Sequence, residues 1–94
     1  MMTVKDAVET AKNHVLLLFG AEDIGDLGLE EIYFDPDADC WNITIGFTRP
    51  WDRKLPLATS LYEKTLARSY KTVSINTSNG DVLWVKDRIL KAWD

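Results

Sequence analysis

The stretch 40–48 constrains this chain more than any other, because Trp41, Ile43, Ile45 and Phe47 alternate without a break against Cys40, Asn42, Thr44, Gly46 and Thr48. Successive side chains of a strand point to opposite faces, so the stretch is expected to form a strand with one apolar face and one small, polar face. A strand of that kind belongs in an antiparallel sheet that packs one face on a core and leaves the other wet.

Two more segments extend the sheet. Residues 29–34 read as a strand with Glu30, Ile32 and Phe34 on one face, and Asp35-Pro36-Asp37-Ala38-Asp39 reads as a turn, since proline fixes φ and aspartates bond their own backbone. Pairing Phe34 with Trp41 then sets Ile32 against Ile43 and makes the apolar faces coincide. A second hairpin is expected from 70–76 and 82–88 around Thr77-Ser78-Asn79-Gly80. A two-residue Asn79-Gly80 turn would bury Lys86 against Val73, whereas a type I turn closed by a Gly80 bulge sets Ile75 against Leu83 and Val73 against Val85. The bulged form is preferred because a one-residue slip flips every side chain. It puts Ser74 opposite Trp84, Thr72 opposite Lys86 and Tyr70 opposite Arg88 on the wet face, beside Asn42, Thr44, Gly46, Thr48, Asn76 and Val82.

Ahead of the sheet, Thr3 and Asp6 form a capping-box pattern, and Val4, Ala7, Val8, Ala11, Val15, Leu18 and Phe19 follow at helical spacing. Gly20 is placed for a left-handed C-terminal cap, and 21–28 reads as a loop. Leu57, Leu61, Tyr62 and Leu66 stand near helical spacing, so 57–66 reads as a short helix or a loop. The fold class is therefore α+β: an N-terminal helix packed on one face of a four-stranded antiparallel sheet, in the order α-β-β-(short α or loop)-β-β, a two-layer sandwich. At 94 residues and 10.7 kDa the chain fits one domain, residues 1–94, and 46% hydrophobic content is too high for a disordered chain.

Charge is unevenly distributed. Residues 1–48 carry ten acids and two bases, residues 49–94 nine bases and five acids, and the net charge is −4. Eight acids and no base fall between Glu22 and Asp39. One end of the fold would carry a negative field if the halves stay apart; otherwise they pair within the sheet and partly cancel. The acidic balance weighs against nucleic-acid binding. The apolar run 15–19 is too short for a signal segment or a membrane span, and the single cysteine suits a reducing compartment, so a cytoplasmic protein with no membrane partner is expected.

The residues of chemistry do not converge. Cys40 and His14 are the sole nucleophile-base pair and belong to opposite sides of the sheet. The zinc ligand inventory is missing, and the calcium-like run from Asp35 has Cys40 and Gly46 where a calcium loop needs Gly and Glu. Glu30 and Glu31 should face opposite ways and cannot share a substrate atom. Gly25-Asp26-Leu27-Gly28 follows a helix and precedes a strand, the reverse of a phosphate-cradling order. No catalytic residue, metal or cofactor is expected, and the chain does not read as an enzyme.

What remains is a recognition surface. Arg49, Trp51 and Arg53, with Lys54, share one loop, and Tyr70, Trp84, Lys86 and Arg88 share the wet sheet face; Trp and Arg are the residues most enriched at the energetic centres of interfaces. The helix and strand pair, followed by Val73-Ser74-Ile75-Asn76 and Asn79-Gly80-Asp81-Val82-Leu83, resemble the small bacterial PepSY-like domains. A Trp-led strand ending in Arg49-Pro50 and a Tyr70-Lys71…Lys86-Asp87-Arg88 hairpin are also similar to small uncharacterised, immunity-protein-like bacterial proteins. The resemblance implies a noncatalytic interaction or inhibitory domain with an unknown protein partner or a weak homodimer. The alternative is a small-molecule or peptide-binding accessory domain.

Overall fold

The structure, a computed structural model, describes residues 2–50 and 68–90. Helix α1 (Val4–Phe19) leads through a 3-10 turn (Gly20–Glu22) into β1 (Gly25–Asp35), β2 (Cys40–Thr48), β3 (Ser69–Asn76) and β4 (Val82–Asp87). The strands form one antiparallel sheet in the order β1-β2-β3-β4, and α1 lies over β2 and β3. The expected two-layer α+β architecture is thus observed. The short helix or loop at 57–66 lies outside the described residues.

The helix begins where its capping chemistry dictates. Thr3 Oγ1 accepts from the Asp6 backbone N–H at 3.1 Å, and the Asp6 carboxylate accepts from the Thr3 N–H at 3.4 Å. It does not end as expected. Gly20 keeps right-handed helical angles (φ −59°, ψ −30°), the chain tightens into a 3-10 turn, and Asp23 takes the left-handed position at φ 57°. Nothing lies within 4 Å of a Cβ at position 20. Gly20→Ala is therefore expected to raise stability by about 0.5–1 kcal/mol, because alanine fits the native angles and has less freedom to lose on folding. Thermal melts of the two proteins check it; a lower melting temperature for the alanine variant contradicts the assignment.

Between the layers sits a dry cluster of Ala7, Ala11 and Val15 from α1 with Ile43, Ile45, Phe47, Val73 and Ile75 from the two central strands. Of the apolar alternation of β2, Ile43, Ile45 and Phe47 are fully buried and Trp41 is partly buried against the core. The outer face is drier than its composition suggests, with Thr44 2% exposed and Ser74 fully buried. On β1, which α1 does not cover, Leu29, Ile32 and Phe34 stay partly exposed.

Phe34 faces Trp41 and Ile32 faces Ile43, as expected. Upstream, however, β1 continues through the presumed loop to Gly25 and carries two irregularities, one around Asp26 at φ 52° and one that leaves Glu30 as an extra residue between Leu29, opposite Ile45, and Glu31, opposite Thr44. In the second hairpin Val73 faces Val85 and Ser74 faces Trp84, but Ile75 faces Val82. Leu83 is the extra residue and is 49% exposed, while Val82 packs against the core. The expected Ile75–Leu83 pair and the outward Val82 are thus corrected. Gly80 does occupy the left-handed turn position (φ 75°), and the second shift compensates within the strand.

The two turns are tied together. Asp39, itself left-handed at φ 54°, accepts from Thr77 Oγ1 at 2.6 Å and from Ser78 Oγ at 3.2 Å, and its carbonyl accepts from the Thr77 N–H. Asp35 accepts from the backbone of Asp37 and Ala38. These carboxylates close turns, and no group of potential metal ligands occurs among the described residues.

Candidate functional site

Register arithmetic builds a grid on the outer face. One row across the sheet runs Tyr33, Asn42, Ser74, Trp84, and the next runs Glu31, Thr44, Thr72, Lys86. Each row has small polar residues on the two central strands and a large ring or a charge on each edge strand. The result is a channel along β2 and β3, with a floor of small side chains, walls on β1 and β4, and a volume of about 560 Å³. Its floor is satisfied internally. Thr44 Oγ1 and Thr72 Oγ1 share a hydrogen bond of 2.8 Å, and Ser74 Oγ donates to Cys40 Sγ at 3.2 Å. Cys40 is buried in this arrangement and His14 is on the helix, so they do not meet.

One end of the channel is crossed by an ion pair. Arg88 Nε and Nη2 donate to the two carboxylate oxygens of Glu31 at 2.9 and 3.2 Å. The edge strands lie three strand spacings apart, roughly 14 Å, a gap that an arginine and a glutamate reaching toward each other can span. The hydrogen-bonded Arg88 guanidinium holds the Glu31 carboxyl below its ordinary value, against a smaller opposing effect of burial, with the Thr44 hydroxyl helping. Stability from this pair is therefore present above the unfolded value of about 4.5 and fades as pH falls through the depressed folded value. In urea titrations, the deficit of Arg88→Gln relative to wild type is expected to be constant from pH 7 to about 5 and to shrink by pH 3. A deficit unchanged at pH 3 would mean that Glu31 is not the group Arg88 stabilises.

Glu30 also lies on this face, contrary to the expectation that it faces the helix, because the bulge rotates it outward beside Glu31. Arg68 Nη2 donates to its carboxylate at 3.4 Å and to the Asp26 carbonyl at 2.9 Å. Both groups lie over Gly46, where a Cβ would stand 2.7 Å from Glu30 Oε2 and 2.9 Å from Arg68 Nη2. Only glycine leaves that space, and a lone glycine inside a strong strand pattern is the sequence sign of such a close approach.

Of the residues expected to bind, Trp84, Lys86 and Arg88 meet in the channel. Lys86 Nζ stands 4.4 Å from the centroid of the Trp84 ring. Tyr70 follows along β3, opposite Gly46, and its carbonyl accepts from the Arg88 N–H. Arg49 belongs elsewhere. Its guanidinium sits over the rings of Phe19 and Phe47, at 5.3 and 5.6 Å, and pairs with Glu22 at 3.4 Å, which closes the end of the core. Trp51 and Arg53 lie outside the described residues. Tyr33, Glu31 and Asn42 complete the channel; Asn42 was expected on the wet face but none of the three as a binding residue, although the first hairpin's register already implied that they share the outward parity of Trp84.

The pairs Glu22–Arg49, Glu30–Arg68 and Glu31–Arg88 each join the acidic half of the chain to the basic half. The two halves therefore partly cancel within the fold. Among the described residues no helix is long and apolar enough to cross a membrane. No family model matches the chain, and no curated protein or solved structure matches it.

Proposed function

We propose that this is a noncatalytic interaction domain, inhibitory or immunity-like in its mode of action, whose outer sheet face receives a segment of another protein. The observation that carries this reading is the channel itself: two aromatic walls, Tyr33 and Trp84, a floor of small polar side chains, and a lysine poised over one ring. Aromatic and cationic side chains around a small-residue floor are the composition of an interface centre, and an open channel admits a chain more readily than it encloses a small molecule. The PepSY-like and immunity-like resemblance points to the same class. No nucleic-acid partner is proposed, and a cytoplasmic setting fits the single reduced cysteine.

Affinity capture from the source cell, with wild type beside Trp84→Ser, tests it. A protein retained by wild type and lost from the serine variant supports the reading. Identical capture by both, with both proteins folded, removes the sheet face as the binding site.

A further inference from the structure

We infer that the channel is built for the C-terminal end of a polypeptide, its carboxylate at Lys86 and a preceding apolar side chain between Tyr33 and Trp84. The inference deepens the proposed function and rests on the same face. Three observations lead to it. Charge comes first: Glu31 and Arg88 pair with each other and Asp87 pairs with Lys71, whereas Lys86 has no carboxylate partner among the described residues. The channel's uncompensated charge is thus a single cation held against a ring, and its complement is an anion.

The second observation is the closed end. The Glu31–Arg88 pair crosses the channel from Glu31, at the β1 end of the row that holds Lys86, to Arg88 just beyond it, so an extended chain that enters along the floor from the other end meets that bar. A chain that stops there presents a free carboxylate where the unpaired ammonium stands. The third is the pair of walls. By register Tyr33 and Trp84 occupy one cross-sheet row and Lys86 the next, two residues or roughly 7 Å along the strands, so a carboxylate at Lys86 leaves the side chain of the residue before the last between the two rings. An acidic side chain within a passing segment would satisfy the charge but not the closed end, which is why a terminus is preferred.

The probes are acetyl-Ala-Phe-Ala with a free carboxylate and the same peptide as its C-terminal amide. Titration calorimetry and amide chemical shifts of the full chain read the binding, with wild type, Lys86→Gln and Trp84→Ser. The free acid is expected to bind about two- to fivefold more tightly than the amide, shifting Asn42, Thr44, Thr72 and the Trp84 indole, the advantage that an ion pair to a water-screened ammonium gives. Lys86→Gln should abolish the acid's advantage while leaving the fold intact, because Lys86 is exposed. Equal binding of acid and amide overturns the terminus and leaves the protein-binding face standing. Absence of shifts on the face with both peptides also overturns it. The wider reading falls only if capture of a partner is, in addition, indifferent to Trp84.

Discussion

Phe47→Ala is expected to destabilise the protein by about 3–5 kcal/mol, the cost of removing a fully buried aromatic side chain and leaving a cavity. The ring has no solvent exposure, stacks on Phe19 at 5.5 Å between centroids, and lies under the Arg49 guanidinium. Truncation therefore removes core volume, an aromatic pair and the platform beneath a cation together. A domain of this size has roughly 5–14 kcal/mol in total, so the variant should be close to its folding limit at 37 °C. Ile45→Ala in the same strand should cost about 2–5 kcal/mol. Thr44→Ala, on the opposite face, should cost about 1–3 kcal/mol, more than a solvated threonine would, because it strips a nearly buried hydroxyl from Thr72. Urea midpoints give all three. A Phe47→Ala loss below about 1.5 kcal/mol would be incompatible with the core described above.

Asp39→Ala should cost about 2–4 kcal/mol, although the residue is not part of the core. Two effects add. The buried Thr77 hydroxyl loses its acceptor, which costs about 1–3 kcal/mol, and alanine at φ 54° carries about 1 kcal/mol of left-handed strain. Asp39→Gly retains the first loss and escapes the second, so it should be the milder substitution, and Asp39→Asn milder still because an amide oxygen can accept from Thr77. The order Ala, Gly, Asn in decreasing damage is the test. If glycine is as harmful as alanine, the left-handed angle contributes nothing.

The central strand, the helix cap and the two hairpin partners could be read from the chain because each rests on a strict local rule: a period of two, a capping box, a proline-aspartate turn. The irregularities were hidden for a physical reason. A bulge inserts one residue into a ladder, and periodicity on one strand records it only as a break in alternation. Leu29-Glu30-Glu31-Ile32 shows such a break, and its consequence, two glutamates on one face, decides how the channel is closed. Leu83 gave no such sign, since Val82, Leu83 and Val85 are all apolar and any of them could have faced the core. Gly20 misled for the opposite reason, its position inviting a cap that Asp23 supplies after one further turn.

The ion pairs that join the acidic half to the basic half also fix an order of events during synthesis. Glu31 is translated 57 residues before Arg88, an interval of about 3–11 s at ordinary elongation rates. Through that interval Glu31 lacks the arginine that neutralises it in the finished sheet, whereas the partners of Glu22 and Glu30, Arg49 and Arg68, are made earlier. Closure of the sheet waits for the last strand, and the uncompensated carboxylate then helps to draw Arg88 in, faster at low ionic strength than at high.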